Sequence, residues 1–307
     1  MNRSRTYLDP NQDADRPRLP RRAVVAAGVG ASVLAVGAAA LAVRRLRADD
    51  SVRTGPVAGP SEAPTAPTTS AGCPSSSDLR FDTALTAADG HQVPYSVSLP
   101  ADYADGCSTY PVLYALHGRD ESNATFLDDA ESVRAAVRDG ALADAVIVTA
   151  DSNRDGRWEG RYDTDFVDEL IPHVERTYRV TPGPAHRLLV GFSMGGHGAF
   201  RFALEHPQDF AAVWSVDGAM ARSPEDYLEF LDRVRAVYPG DPQLRLVGGN
   251  LNGDRVEQVV DLFRQNGIDF PYERLPLEHE FPLFVEADRR AGWPTLRWMN
   301  QRLGTTD

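Results

Sequence analysis

The sequence predicts an α/β fold, a mostly parallel central sheet with helices on both faces, and three observations carry that reading. From residue 110 onward short apolar runs alternate with amphipathic ones. Several of these runs are apolar throughout, as strands covered on both sides are. The glycine-rich stretch GFSMGGHGAF, 191–200, then joins one such run to an amphipathic segment with no linker between them, so that strand, tight turn and helix follow directly.

In chain order, LRFDTALT (79–86) and HQVPYSVSL (91–99) alternate polar and apolar residues in the manner of antiparallel edge strands. PVLYAL (111–116), AVIVTA (145–150), HRLLVGF (186–192), AAVWSV (211–216), QLRLVG (243–248) and FPYERLPL (270–277) read as the strands that follow. Between them, Phe166, Leu170, Ile171, Val174 and Tyr178 fall at helical spacing, as do Val256, Val259, Val260 and Phe263. MGGHGAFRFALEH (194–206) is the helix after the glycine-rich turn, and 223–240 reads as a connecting helix, with a lid over the site as the alternative. The four tryptophans, Trp158, Trp214, Trp293 and Trp298, are expected in the core rather than on a substrate.

Ahead of this domain the composition changes twice. Residues 23–43, AVVAAGVGASVLAVGAAALAV, are uncharged and apolar over about the length that crosses a hydrocarbon core as a helix. Arg21 and Arg22 precede the run and Arg44, Arg45 and Arg47 follow it. It is expected to be a membrane anchor with 1–22 cytoplasmic, or else the apolar part of an export signal that is cleaved. Residues 44–72, rich in Pro, Thr and Ser, form a linker that cannot bury enough apolar surface to fold. The folded domain is placed at 73–307, on the outer side of the membrane or secreted. Its cysteines, Cys73 and Cys107, are the chain's only two; an exported protein is expected to join them, and two free thiols are the alternative.

Residues 1–72 carry ten Arg against six acidic residues, so the remainder holds more than the whole formal charge of −12. So acidic a domain argues against nucleic-acid binding. No lysine occurs, which removes Schiff-base chemistry and the Gly-Lys phosphate loop. No metal-ligand spacing is present, and no cofactor is expected.

Ser193 sits where a strand turns sharply into a helix, between Gly191 and Gly195. In that setting a serine is presented at the positive end of a helix dipole with the Met194 amide beside it, ready to receive a developing oxyanion. A serine hydroxyl needs a base, and the base needs an orienting carboxylate. Of the seven histidines, four precede the serine and two, His197 and His206, ride on its helix; only His279 follows a later strand. For the acid, Asp254 lies beyond the strand RLVGG, although Asp254 to Glu257 also reads as a helix capping box. Asp217, in WSVDGAM, is the alternative; Glu280, or no acid, also stays open. His117 and Gly118 end the first parallel strand and bring the Arg119 amide forward as a second oxyanion donor.

With these residues in hand, the chain resembles the putative esterase family of α/β-hydrolases, which includes feruloyl esterases, siderophore esterases, S-formylglutathione hydrolases and mycolyltransferases. The resemblance spans about 79–303 and rests on VLYALHG (112–118), VDELIPHVERTYRV (167–180), LLVGFSMGGHGAFRFALEHPQDFAAVWSVDGAM (188–220) and a histidine after a strand, His279. It implies an α/β-hydrolase fold, Ser193 as nucleophile, His279 as base and amide donors at Arg119 and Met194. Two departures stand out: Leu277 and Glu278 precede His279 where the family has a glycine turn, and the family's acid would fall near Asn250. The expected activity is hydrolysis of a small-molecule or lipid carboxylic ester through an acyl-enzyme. An acyltransferase acting on envelope glycolipids, and a binding module that has lost the acid, are the rival readings.

Overall fold

Period-two alternation sends the side chains of the central strands into two separate cores, one on each face of a single sheet. The computed structural model describes residues 79–220, 222–237 and 243–304. The chain divides into two units, Met1–Pro67 and Thr68–Asp307, and the described residues all belong to the second. The predicted membrane or signal helix at 23–43, the linker at 44–72 and Cys73, with its proposed link to Cys107, lie outside the described residues. Among the described residues no helix is long and apolar enough to cross a membrane.

The strands are β1 (Arg80–Thr86), β2 (Gln92–Ser98), β3 (Val112–Leu116), β4 (Val146–Ala150), β5 (Arg187–Phe192), β6 (Ala212–Val216), β7 (Leu244–Gly248) and β8 (Tyr272–Arg274). They form one sheet in the order β1-β2-β4-β3-β5-β6-β7-β8. Pairing is antiparallel for β1 with β2 and for β2 with β4, and parallel from there to β8. In β3, Val112, Tyr114 and Leu116 enter one core with Val148, Leu189 and Val213, while Leu113 and Ala115 enter the other with Ile147, Leu188 and Trp214. The uninterrupted apolar strands of the sequence thus reflect two faces, each covered by helices.

The helices are α1 (Asn123–Ala130), α2 (Arg134–Arg138), α3 (Arg161–Thr164), α4 (Ile171–Thr177), α5 (Met194–Glu205), α6 (Leu231–Val237), α7 (Gly253–Gln265), α8 (Phe281–Arg290) and α9 (Pro294–Arg302). A wider helical turn, Asp165–Leu170, joins α3 to α4, and a tight one, Pro224–Phe230, leads into α6, so the segment from 223 connects β6 to β7. All four tryptophans are buried.

The last strand is shorter than the apolar run 270–277 predicts. Beyond Arg274 the chain curls, with the Leu275 N–H donating to Gly248 O at 2.9 Å and the Leu277 N–H to Leu275 O at 2.9 Å. Pro276 lies between them and cannot donate to a ladder. The curl carries His279 back toward the carboxyl ends of β5 and β6, where a parallel sheet keeps its sites.

Candidate active site

Ser193 holds φ 55° and ψ −115°, a conformation that costs a residue with a β-carbon about 1–3 kcal/mol. The surroundings enforce it. The Ser193 N–H donates to Val216 O at 3.0 Å, and the Ser193 carbonyl accepts from the amides of His197 at 3.0 Å and Ala219 at 2.8 Å. A β-carbon on Gly191 would lie 1.9 Å from Gly195 O, and one on Gly195 would lie 1.9 Å from Leu116 O, so both positions require glycine. The Ser193 side chain makes no capping bond to α5. Its hydroxyl is therefore not committed to the helix it precedes.

His279 Nδ1 lies 2.6 Å from Asp217 Oδ2. An ionised carboxylate only accepts, so Nδ1 carries the proton and Nε2 is left as the acceptor. The ring rests on Phe192, the neighbour of Ser193, with centroids 4.5 Å apart. Asp217 is 0% exposed and sits just past the end of β6 with φ 41°. Its Oδ1 accepts the amides of Gly249 at 2.7 Å and Asn252 at 3.2 Å. Asn252 also donates its side-chain amide to the Asp217 carbonyl at 2.8 Å. The chain thus gives one carboxylate oxygen to the backbone after β7 and reserves the other for the imidazole.

Asp254, the first choice for the acid in the sequence, does not meet His279. Its side chain is 86% exposed and pairs with Arg274 at 2.9 Å. The capping box is absent as well: the N-cap of α7 is Asn252, without a side-chain cap bond, and Asp254 stands in the first turn beyond it. Asn252 turns inward to Asp217, and that inward turn leaves Asp254 on the outer face. Asn250, the family's position for the acid, donates its side-chain amide to Glu278 at 3.3 Å. Glu280 is the exposed N-cap of α8.

The loop after β3 spends its amides selectively. The Gly118 N–H donates to Glu121 Oε2 at 2.6 Å and the Asp120 N–H to Arg154 O at 2.8 Å, which leaves the Arg119 N–H without an acceptor among the described residues. His117 is buried and fixes the peptide between Gly118 and Arg119. Its Nε2 accepts the Ser152 N–H at 3.0 Å, so Nδ1 carries the proton and donates to Gly118 O at 2.7 Å. Because the carbonyl and the following N–H of a trans peptide point in opposite directions, the Arg119 amide faces away from His117. Met194 opens α5, and the first amides of a helix have no partner within it. The sequence reading did not mark Glu121: burial pushes its carboxyl above the ordinary range, while the Gly118 amide and the nearby imidazoles of His117 and His279 pull it down.

The other histidines have structural surroundings. His197 is 1% exposed, faces the Tyr227 ring edge-on, and is held neutral by burial, its pKa pushed down to about 4. His206, Asp163 and Glu205 bring donor atoms within 4.8 Å of one another. Arg201 Nη1 already binds both carboxylates of that group, supplying the positive charge a metal would bring.

A glycine-flanked serine in a strained turn, an imidazole on a buried carboxylate and the amides of Arg119 and Met194 lie at the ends of β3, β5 and β6, and residues 86–225 match the family model described as "Putative esterase". Over that segment the chain is similar to the putative esterase family. The esterase Rv1288 of Mycobacterium tuberculosis (strain ATCC 25618 / H37Rv) is 29% identical over 147 residues, covering 43% of this chain and 30% of the relative. "Putative esterase NocK" of Nocardia uniformis subsp. tsuyamanensis is 39% identical over 64 residues, covering 21% of this chain and 18% of the relative. The chain therefore spans under a third of the length of these curated relatives. Among solved structures, a ferulic acid esterase aligns with TM-score 0.59 at 23% identity, over 73% of this chain and 98% of the other. An S-formylglutathione hydrolase of Staphylococcus aureus aligns with TM-score 0.57 at 19% identity, over 72% and 95%. Both likenesses show a shared α/β-hydrolase fold across the domain.

Proposed function

We propose that this domain hydrolyses carboxylic esters through a Ser193-His279-Asp217 triad. Ser193 Oγ attacks the ester carbonyl while His279 Nε2 takes its proton, and the Arg119 and Met194 amides receive the oxyanion. His279 then protonates the departing alcohol. Water, deprotonated by the same nitrogen, releases the acid from the acyl-enzyme. Asp217 holds Nδ1–H and stabilises the imidazolium in both halves of the reaction.

The observation that carries the proposal is the 2.6 Å contact between His279 Nδ1 and Asp217 Oδ2, made by a carboxylate whose other oxygen is already bonded to backbone amides. It also weighs against a binding module, which would have no need of an oriented imidazole beside a strained serine. As part of the same reading, the domain works outside the cytoplasmic membrane, tethered or released by the 23–43 segment, with Cys73 and Cys107 joined. Turnover of p-nitrophenyl butyrate by the purified protein and by Ser193→Ala tests the activity. Wild-type turnover that falls at least about 10³-fold in the variant is expected; equal rates would refute the role of Ser193.

A further inference from the structure

Resting on the ester-hydrolase reading, we infer that Glu121 selects the alcohol half of the substrate, favouring an alcohol with free hydroxyl groups, a polyol or sugar, over a plain alkyl or an anionic one. The inference begins with how close this carboxylate stands to the nucleophile. A β-carbon on Gly118 would lie 2.9 Å from Glu121 Oε2 and 3.3 Å from Ser193 Cβ. The Glu121 carboxylate and Ser193 thus flank the same α-carbon, and a side chain on Gly118 would crowd both.

Glu121 uses one oxygen for structure and keeps the other free. Oε2 accepts the Gly118 N–H at 2.6 Å and fixes the side chain in place. Oε1 has no hydrogen-bond partner among the described residues, and the side chain is only half-buried. A carboxylate is purely an acceptor, so whatever Oε1 meets in the occupied site must donate an O–H or N–H. An acyl chain has no such donor, whereas the alcohol of a polyol ester does.

The position also indicates which half of the ester Glu121 meets. His279 lies within its electrostatic reach, and the departing alcohol must pass His279 to receive its proton. The neighbouring charges agree in sign: Asp129 lies within reach of Glu280, and Glu278 and Glu280 flank His279 in sequence. Arg119, the nearest cation of the loop, is paired to Asp155 at 3.0 Å. An anionic alcohol would be repelled here.

The test uses three butyrate esters with one acyl group, formed from glycerol, 1-propanol and 3-hydroxypropanoate, with kcat/KM measured for the full-length wild type and for Glu121→Gln. The amide of glutamine can still accept the Gly118 N–H through its oxygen, so the loop keeps its anchor while the charge is lost. In the wild type the glycerol ester is expected to exceed the propyl ester by about tenfold, as a hydrogen bond to a charged acceptor would supply, and the hydroxypropanoate ester to be the poorest. In Glu121→Gln both ratios should shrink several-fold, the anionic ester gaining on the propyl ester. Ratios unchanged between the two proteins would overturn the inference while leaving ester hydrolysis standing. A wild type that turns over none of the three and also lacks activity on p-nitrophenyl butyrate would remove the ester-hydrolase reading and the inference with it. The comparison rests on ratios, so a partial loss of folded protein in the variant does not affect it.

Discussion

Replacing Asp217 by asparagine should cost about 10⁴ in kcat while leaving the fold in place. The carboxylate accepts His279 Nδ1 at 2.6 Å, which puts the centres of the two charges about 4 Å apart once the imidazole is protonated. At an effective dielectric of about 20, that attraction is worth roughly 4 kcal/mol, or about three decades in rate. The amide also presents an N–H to Nδ1, forcing the tautomer whose Nε2 is already protonated and cannot serve as a base, and the combined loss is about 10⁴. Asparagine Oδ1 can still accept the Gly249 and Asn252 amides, now at 2.7 and 3.2 Å, so thermal melting should shift by only a few degrees. Steady-state hydrolysis of p-nitrophenyl butyrate beside a melting curve measures both quantities. A folded Asp217→Asn protein within tenfold of the wild-type kcat would refute the assignment of the acid.

Asp254→Ala should leave kcat within about twofold and stability within about 1 kcal/mol, since an exposed pair such as Asp254 with Arg274 contributes little; a loss comparable to that of Asp217→Asn would contradict the geometry. His197 gives the fold a pH dependence. Buried neutral, it has a folded pKa pushed from 6.5 down to about 4, so between those values the unfolded chain binds the extra proton. Stability from this group is full above pH 6.5 and is lost as pH falls toward 4, by about 3 kcal/mol in all. Urea unfolding at pH 7 and pH 4.5 should show a smaller acid destabilisation in His197→Gln than in the wild type, and identical slopes would contradict the role given to His197.

The strands and the sharp turn at Ser193 were legible because they rest on local patterns: unbroken apolar runs, and glycines at 191 and 195 that tolerate no β-carbon. The carboxylate that His279 meets was not, because both candidate aspartates follow parallel strands. What separates them is long-range, namely Asn252 turning inward to bond the Asp217 carbonyl. A local sign did exist: Asp217 is followed by glycine directly after an apolar strand, where a turn with positive φ forms. The helices after His279 were hidden by Pro282 and Pro294, which sit in first turns, where a missing N–H costs nothing. Glu121 carries no local sign in the sequence. Its meaning depends on the distance between Gly118 and Ser193, which only the packing of β3 against β5 sets.

The central claim, that Ser193 is an activated nucleophile, is tested most directly by intact-mass analysis of the purified protein after exposure to a fluorophosphonate, with Ser193→Ala alongside. The account predicts one covalent adduct on the wild type, mapped to Ser193, and none on the variant. A folded wild type that takes up no probe, or a variant labelled as fully as the wild type, would contradict it.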